Sequence, residues 1–354
     1  MLNNLEFSSR SGERKLYAFV ALILALLLIM SVITFVVICL PSASAASSGV
    51  VNPPADTNPP VGPDDPAHPT VDNWTNSDNV SGCVIGTSSS AEDLLDINSA
   101  AAILVDMQSS SAIAVKSADK KVQIASMTKV MTLITALELI ETNAQMYEKV
   151  AITQEYVDKL VDERETGGRG YQKAFKAGNE VYVIDLLYSL ILRSGCDSAL
   201  ALADFLCGSE SAFVAEMNKM AEKLGLESTH FANCYGRDDD NNYSTVREVG
   251  EMFLYALENK LAYKILTTDK YKYYGEDYDF MYAESLVHYN FAGKNTGKVD
   301  IIGGKSGNDI DAGYCLVSFG ENDGGEKYLV VTAGNKKDAS SYTDSAYIYK
   351  NYVN

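Results

Sequence analysis

The chain has 354 residues, 47% of them hydrophobic and 21% charged, which is globular composition with material for a sizeable core. A formal charge of −18 at pH 7 argues against a nucleic-acid binder built on a basic face. The distribution is uneven: residues 16–115 carry nine acids and no Lys or Arg, and all eight prolines lie between Pro41 and Pro69.

Leu16 to Leu40 is an uncharged run of 25 residues, rich in Leu, Ile, Val and Ala. As a helix it rises about 37 Å, enough to cross a hydrocarbon core of about 30 Å. Arg10, Arg14 and Lys15 precede it, and the next basic residue is Lys116. The positive-inside rule therefore places residues 1–15 in the cytoplasm and everything after Leu40 outside. Ala43-Ser44-Ala45 also reads as a cleavage signal, so a removed signal peptide competes with a retained membrane anchor over 16–40. The run exceeds the roughly 7–15 residues of a signal core, which favours the anchor, and both readings export the rest. Residues 41–85 are rich in Pro, Ser, Asn and Asp. With few large apolar side chains they cannot offset their ordering entropy, and they read as a disordered linker to a domain over 86–354.

Within that domain, Ala101–Val105 and Ala112–Val115 are apolar runs around a polar turn, the pattern of a hairpin. A long helix is expected from near Ser126, with Val130, Leu133, Ile134, Leu137 and Ile140 on one stripe. Val183–Leu192 reads as a buried helix, and Asp197 is placed to cap another running to Leu206. Ser209 caps a third, with Gly225 just past its end, and Ser244-Thr245 opens a fourth. The pattern then turns strand-like over Val299–Ile302, Gly313–Phe319 and Tyr328–Ala333, before a short helix near Tyr342–Tyr352. Strands, then helices, then strands predict an α/β (α+β) fold: a mainly antiparallel sheet flanked by helices, with a helical subdomain inserted.

Ser126-Met127-Thr128-Lys129 opens the first long helix. A spacing of three puts Ser Oγ and Lys Nζ on one helical face. A serine hydroxyl is a weak nucleophile until a base takes its proton, and a desolvated lysine can be that base. Ser194-Gly195-Cys196 breaks two apolar helices with a small polar turn, and Lys305-Ser306-Gly307 follows an apolar strand. A second lysine with a hydroxyl and a glycine on a strand edge can hold a carboxylate while the backbone pairs with a peptide. The order S-x-x-K, S-G-x, K-S-G is the informative feature.

On these motifs the chain from about Ala101 to Asn354 resembles the serine D-alanyl-D-alanine carboxypeptidases, penicillin-binding proteins of the peptidase S11 family with a β-lactamase/transpeptidase-like fold. Ile124–Thr132 is similar to the family's nucleophile helix, and Asp197–Ala203 after Ser194-Gly195 to its second-motif segment. Phe231-Ala232-Asn233 through Thr245, and Ala312–Val317 after K-S-G, are similar too. The resemblance implies that Ser126 is acylated by the penultimate D-Ala carbonyl of a peptidoglycan stem peptide, with Lys129 as general base and Ser194 as proton relay. Lys305 and Ser306 would hold the substrate carboxylate, beside Gly307, and the N–H groups of Ser126 and Asn308 would form the oxyanion hole. β-Lactam antibiotics would be acylating inhibitors, and no cofactor or metal is implied.

Two departures stand out. The second motif usually reads Ser-x-Asn, and here the third position, a substrate contact in the family, is Cys196. The usual F-x-N-P-x-G-L stretch becomes Phe231-Ala232-Asn233-Cys234-Tyr235-Gly236-Arg237. Cys196 and Cys234 are either two free buried thiols or a disulfide near the active site. Nor does the chain offer sequence for the all-β domain that often follows the catalytic one, so the tether is expected to do that positioning. Two other functions compete: a catalytically weak penicillin-binding scaffold, which Cys196 keeps open, and a class A-like β-lactamase. The latter needs a glutamate segment, E-x-x-L-N, that is missing between Ser194 and Lys305.

Overall fold

The computed structural model describes residues 83–161, 171–275, 277–278, 281–337 and 340–353. These fall in one of two compact units, Ala55–Asn354, and the other, Met1–Pro54, lies outside them. The expected cytoplasmic tail, membrane span and most of the linker therefore lie outside the described residues. Ile85, at the expected linker boundary, is buried, with its N–H bonded to Glu251 and its carbonyl to Arg247.

The polar strand β1 (Gly86–Asp93) comes first, followed by the expected hairpin β2 (Ala101–Asp106) and β3 (Ser111–Lys116). A 3₁₀ turn over Ala125–Thr128 leads into α1 (Lys129–Leu139). Short elements follow: α2 (Asn143–Met146), β4 (Lys149–Ala151), α3 (Gln154–Lys159) and β5 (Glu180–Tyr182). The helical part is α4 (Val183–Leu192), α5 (Cys196–Cys207), α6 (Glu210–Lys223), α7 (Val246–Glu258) and α8 (Lys260–Thr267). A small hairpin, β6 (Lys270–Lys272) and β7 (Tyr282–Glu284), and α9 (Leu286–Phe291) return the chain to the sheet. It ends with β8 (Val299–Asp309), β9 (Gly313–Asn322), β10 (Lys327–Asn335) and α10 (Ser340–Tyr352).

The main sheet has the order β1-β3-β2-β10-β9-β8, antiparallel throughout except where β1 pairs parallel with β3. The alternation of side chains along each strand gives the sheet two apolar faces. Ile103, Val105, Val317 and Phe319 pack toward α1 and the other central helices, while Leu104, Leu316 and Val330 meet Ile348 and Tyr349 of α10. Helix α1 is the centre of the helical layer, with every residue from Lys129 to Ala136 buried. Each large apolar side chain so placed stabilises the fold by about 1.5–3 kcal/mol.

The caps explain the helix starts. Ser209 Oγ accepts from Ala212 N at 3.2 Å and Thr245 Oγ1 from Glu248 N at 3.1 Å, as their positions predict. Asp197 departs from expectation. Helix α5 begins one residue before it, and its carboxylate accepts the N–H groups of Ala174 and Phe175 at 2.8 and 2.7 Å. It pins the loop ahead of the helix, and the cap position is Gly195 with no side-chain bond.

Candidate active site

The first motif is built on a break between turn and helix. Ala125 adopts φ +46°, outside the ordinary regions for an L-residue, and the 3₁₀ turn then brings Ser126 round to face Lys129. Lys129 Nζ lies 2.9 Å from Ser126 Oγ, 3.2 Å from Cys196 Sγ and 2.5 Å from the Tyr235 carbonyl. In the form that a general base requires, an amine has two N–H groups and one lone pair. Cys196 and Tyr235 O can take the two protons, which leaves the lone pair for the Ser126 hydroxyl.

The second motif is the turn between α4 and α5. Ser194 has φ +58° and is 5% exposed. Its Oγ accepts a hydrogen bond from Lys305 Nζ at 2.9 Å. Cys196 uses its sulfur both ways, accepting from Lys129 and donating to the Ser194 carbonyl at 3.7 Å. Cys196 and Cys234 are both free thiols, so of the two states the sequence left open the structure contains the unbridged one. Burial raises both thiol pKa values, Cys234 the more strongly.

The third motif lies on β8, the outermost strand, which leaves backbone groups free to pair with another chain. Gly307 is where this strand meets the nucleophile. A Cβ there would lie 2.8 Å from Ser126 N and 3.0 Å from Ala125 Cβ, so only glycine permits the approach. Two residues earlier, on the same face, Lys305 is 1% exposed and also bonds the Ser306 carbonyl at 2.6 Å. Burial first, and the charge of Lys129 second, hold it well below the ordinary lysine range. Ser306, next along the strand, has its side chain on the other face and is half-buried, and Asn308 is exposed.

Of the residues expected from the sequence, the structure thus joins Ser126 and Cys196 each to Lys129, and Ser194 to Lys305. It sets Gly307 against the nucleophile and places Ser306 next to Lys305 on the same edge strand.

Other parts of the site carried no signal in the sequence. Tyr235 contributes a backbone carbonyl, which residue type does not reveal. Gly236, at φ +87°, runs so close to the nucleophile turn that a Cβ would overlap the Ala125 carbonyl at 2.1 Å. At the end of β8, Asp309 Oδ2 accepts from the Tyr171 hydroxyl at 2.8 Å and from Asp238 N at 2.9 Å. Burial, with smaller contributions from the charges of Asp309 and Asp311, pushes the Asp238 carboxyl up to about 6.

Residues 86–336 match the family of D-alanyl-D-alanine carboxypeptidases, peptidase S11. The chain belongs to that family. A D-alanyl-D-alanine carboxypeptidase of Streptomyces sp. strain K15 is 32% identical over 220 residues, covering 60% of this chain and 73% of the relative. DacF of Bacillus subtilis is 31% identical over 209 residues, covering 57% of this chain but only 49% of its own length. Among solved structures, a variant of the Streptomyces K15 DD-transpeptidase superposes with a TM-score of 0.63 at 25% identity, over 73% of this chain and all of that one. Penicillin binding protein 5 from Haemophilus influenzae shares the fold, with a TM-score of 0.61 at 23% identity. The carboxypeptidase therefore has the mixed fold read from its sequence, a sheet flanked by helices, and the hydrolase activity of its family.

Proposed function

We propose that the enzyme removes the terminal D-alanine from peptidoglycan stem pentapeptides through an acyl-enzyme on Ser126. The observation that carries this is the pair of buried lysines, Lys129 and Lys305, each 2.9 Å from a different serine hydroxyl. In the first step Lys129 Nζ takes the Ser126 proton as Oγ attacks the penultimate D-Ala carbonyl. The oxyanion is met by the N–H groups of Ser126 and Asn308. As the tetrahedral intermediate collapses, the C–N bond breaks and Ser194 passes a proton to the leaving amine of D-alanine. The proton that Lys129 took from Ser126 makes good the one Ser194 gives up, which leaves Lys129 neutral for the second step, while Lys305 keeps its own and stays bonded to Ser194 Oγ. Water then attacks the ester with Lys129 again as base, and the shortened stem peptide leaves. The carboxylate of the substrate is held at Lys305, and β-lactams acylate Ser126 by the same route.

The N-terminal run supports a cell-membrane location. Among the described residues no single helix is long and apolar enough to cross a bilayer, and residues 16–40 would supply the span. The linker read over residues 41–85 would tether the exported domain, with Ile85 at its end already packed into that domain. A retained span keeps the enzyme on the membrane, whereas cleavage after Ala45 would release it. One experiment tests site and location together. A fluorescent penicillin should label one band in the membrane fraction, and the purified protein should release D-alanine from a pentapeptide ending in D-Ala-D-Ala. A protein that neither binds penicillin covalently nor releases D-alanine would sink the reading.

A second reading, transfer of the acyl group to an amine, is favoured by one observation. The solved Streptomyces protein is named a DD-transpeptidase, and its variants replace a serine and, two positions later, a cysteine, the spacing of Ser194 and Cys196. A thiol donates and accepts more weakly than an amide. Replacing Cys196 with asparagine should therefore raise D-alanine release by up to about tenfold, the order of one hydrogen bond. Measuring hydrolysis and transfer to a glycyl acceptor side by side shows which of the two the thiol favours.

A further inference from the structure

We propose that Glu210, on the first turn of α6, is a positioning residue for the catalytic lysine. The inference rests on Lys129 being the base, and concerns what fixes its amine in place. One of the three partners of Lys129 Nζ is a backbone carbonyl, that of Tyr235, at 2.5 Å. A carbonyl is only as fixed as the peptide that bears it. That peptide joins Tyr235 to Gly236, and the residue that leads into it, Cys234, is held from both sides. Its carbonyl accepts from Thr132 Oγ1 of α1 at 2.6 Å. Its N–H and its thiol both donate to Glu210 Oε1, at 3.3 and 3.6 Å.

The peptide itself and its neighbours are equally constrained. Asn233 Oδ1 accepts from the N–H groups of Tyr235, Gly236 and Arg237 at 3.3, 2.7 and 2.9 Å. Gly236 abuts the nucleophile turn. Any shift of residues 234–236 thus moves a Lys129 partner and a wall of the Ser126 turn together. Within this arrangement Glu210 is the outermost hold. Its side chain is 16% exposed, its Oε2 pairs with Lys159 of α3, and it lines an open cleft with Tyr156 and Asp204. With its Lys159 partner 44% exposed, that ion pair is screened by solvent on one side and contributes little by itself. The consequential bonds are those that run inward from Oε1 to Cys234.

Geometry and charge separate cleanly at this position. Glutamine keeps the length of the side chain and an acceptor oxygen for Cys234 N, but has no charge. Aspartate keeps the charge, and with it the favourable interaction with the α6 N-terminus, but withdraws the oxygen by one methylene. The test is pre-steady-state acylation by a fluorescent penicillin, which resolves the reversible binding constant from the acylation rate constant. Glu210→Asp should lower the acylation rate constant about tenfold and leave reversible binding within about twofold. Glu210→Gln should recover most of that loss, to within about threefold of the parent. Thr132→Val, which removes the opposite hold on Cys234, should reproduce the aspartate result.

The proposal is overturned if Glu210→Asp acylates at the parental rate, if Glu210→Gln is as slow as Glu210→Asp, or if the loss falls in reversible binding. These outcomes are distinct from failure of the proposed function, in which the parent protein itself is not acylated at Ser126.

Discussion

Ser126→Ala should abolish covalent labelling by fluorescent penicillin and lower D-alanine release at least about 10⁴-fold, while reversible binding persists. The magnitude follows from what is removed. Without Oγ there is no atom to form the ester, and only the oxyanion donors and the carboxylate site remain. The fold should tolerate the change. Ser126 sits in a 3₁₀ turn fixed by its neighbours, with Ala125 and Gly236 in contact behind it and Gly307 against its N–H. Lys129 keeps Cys196 and Tyr235 O as partners. The measurements are gel labelling, release of D-alanine and a melting curve. Labelling that survives in Ser126→Ala would mean that another nucleophile carries the acyl group.

The residues of this site were legible to different degrees, for physical reasons. A side chain that does chemistry must be of a particular type at a particular spacing, so Ser126, Lys129, Ser194 and Lys305 stand out in the sequence. Gly307 was legible as part of K-S-G, although the reason for it, the 2.8 Å approach to Ser126 N, is a tertiary fact. Tyr235 was not legible as a lysine partner, because any residue supplies a carbonyl. Glu210 and Asp309 act on backbone or side-chain groups 24 and 138 residues distant in the chain, and no local pattern marks such pairs.

The fold shows the same division. The hairpin of β2 and β3, the helices α4 and α6 and the three closing strands follow from periodicity and caps. Helix α8 was missed although its signal was present: Asn259 Oδ1 caps Leu261 and Ala262, both at 3.0 Å. Strand β1 had no signal of that kind. Its sequence, GTSSSAED, has no apolar alternation, because its side chains are mostly exposed and what holds it is backbone pairing with β3. The Asp197 expectation failed for a more specific reason. An acidic residue beside a helix start reads as a cap, but here the loop of Ala174 and Phe175 competes for the same carboxylate and takes it.

Lys129→Met should lower both penicillin acylation and D-alanine release about 10³- to 10⁴-fold, the range for loss of a general base together with its proton relay. Methionine is the informative replacement. It approximates the length and apolar stem of a side chain that is wholly buried, so a large cavity is avoided. Two opposing terms then act on stability. Removing an amine from the interior relieves its desolvation, whereas the Tyr235 carbonyl loses a partner at a cost of about 1–3 kcal/mol. The melting temperature should accordingly move by only a few degrees. Lys305→Met should behave differently, because Lys305 contacts Ser194 and not Ser126. Its loss should fall largely on KM for the peptide, through the carboxylate, with a smaller effect on kcat. Equal kcat losses in the two variants would contradict the division of roles, since the lysine that holds the nucleophile's proton and the lysine that holds the substrate would then be indistinguishable.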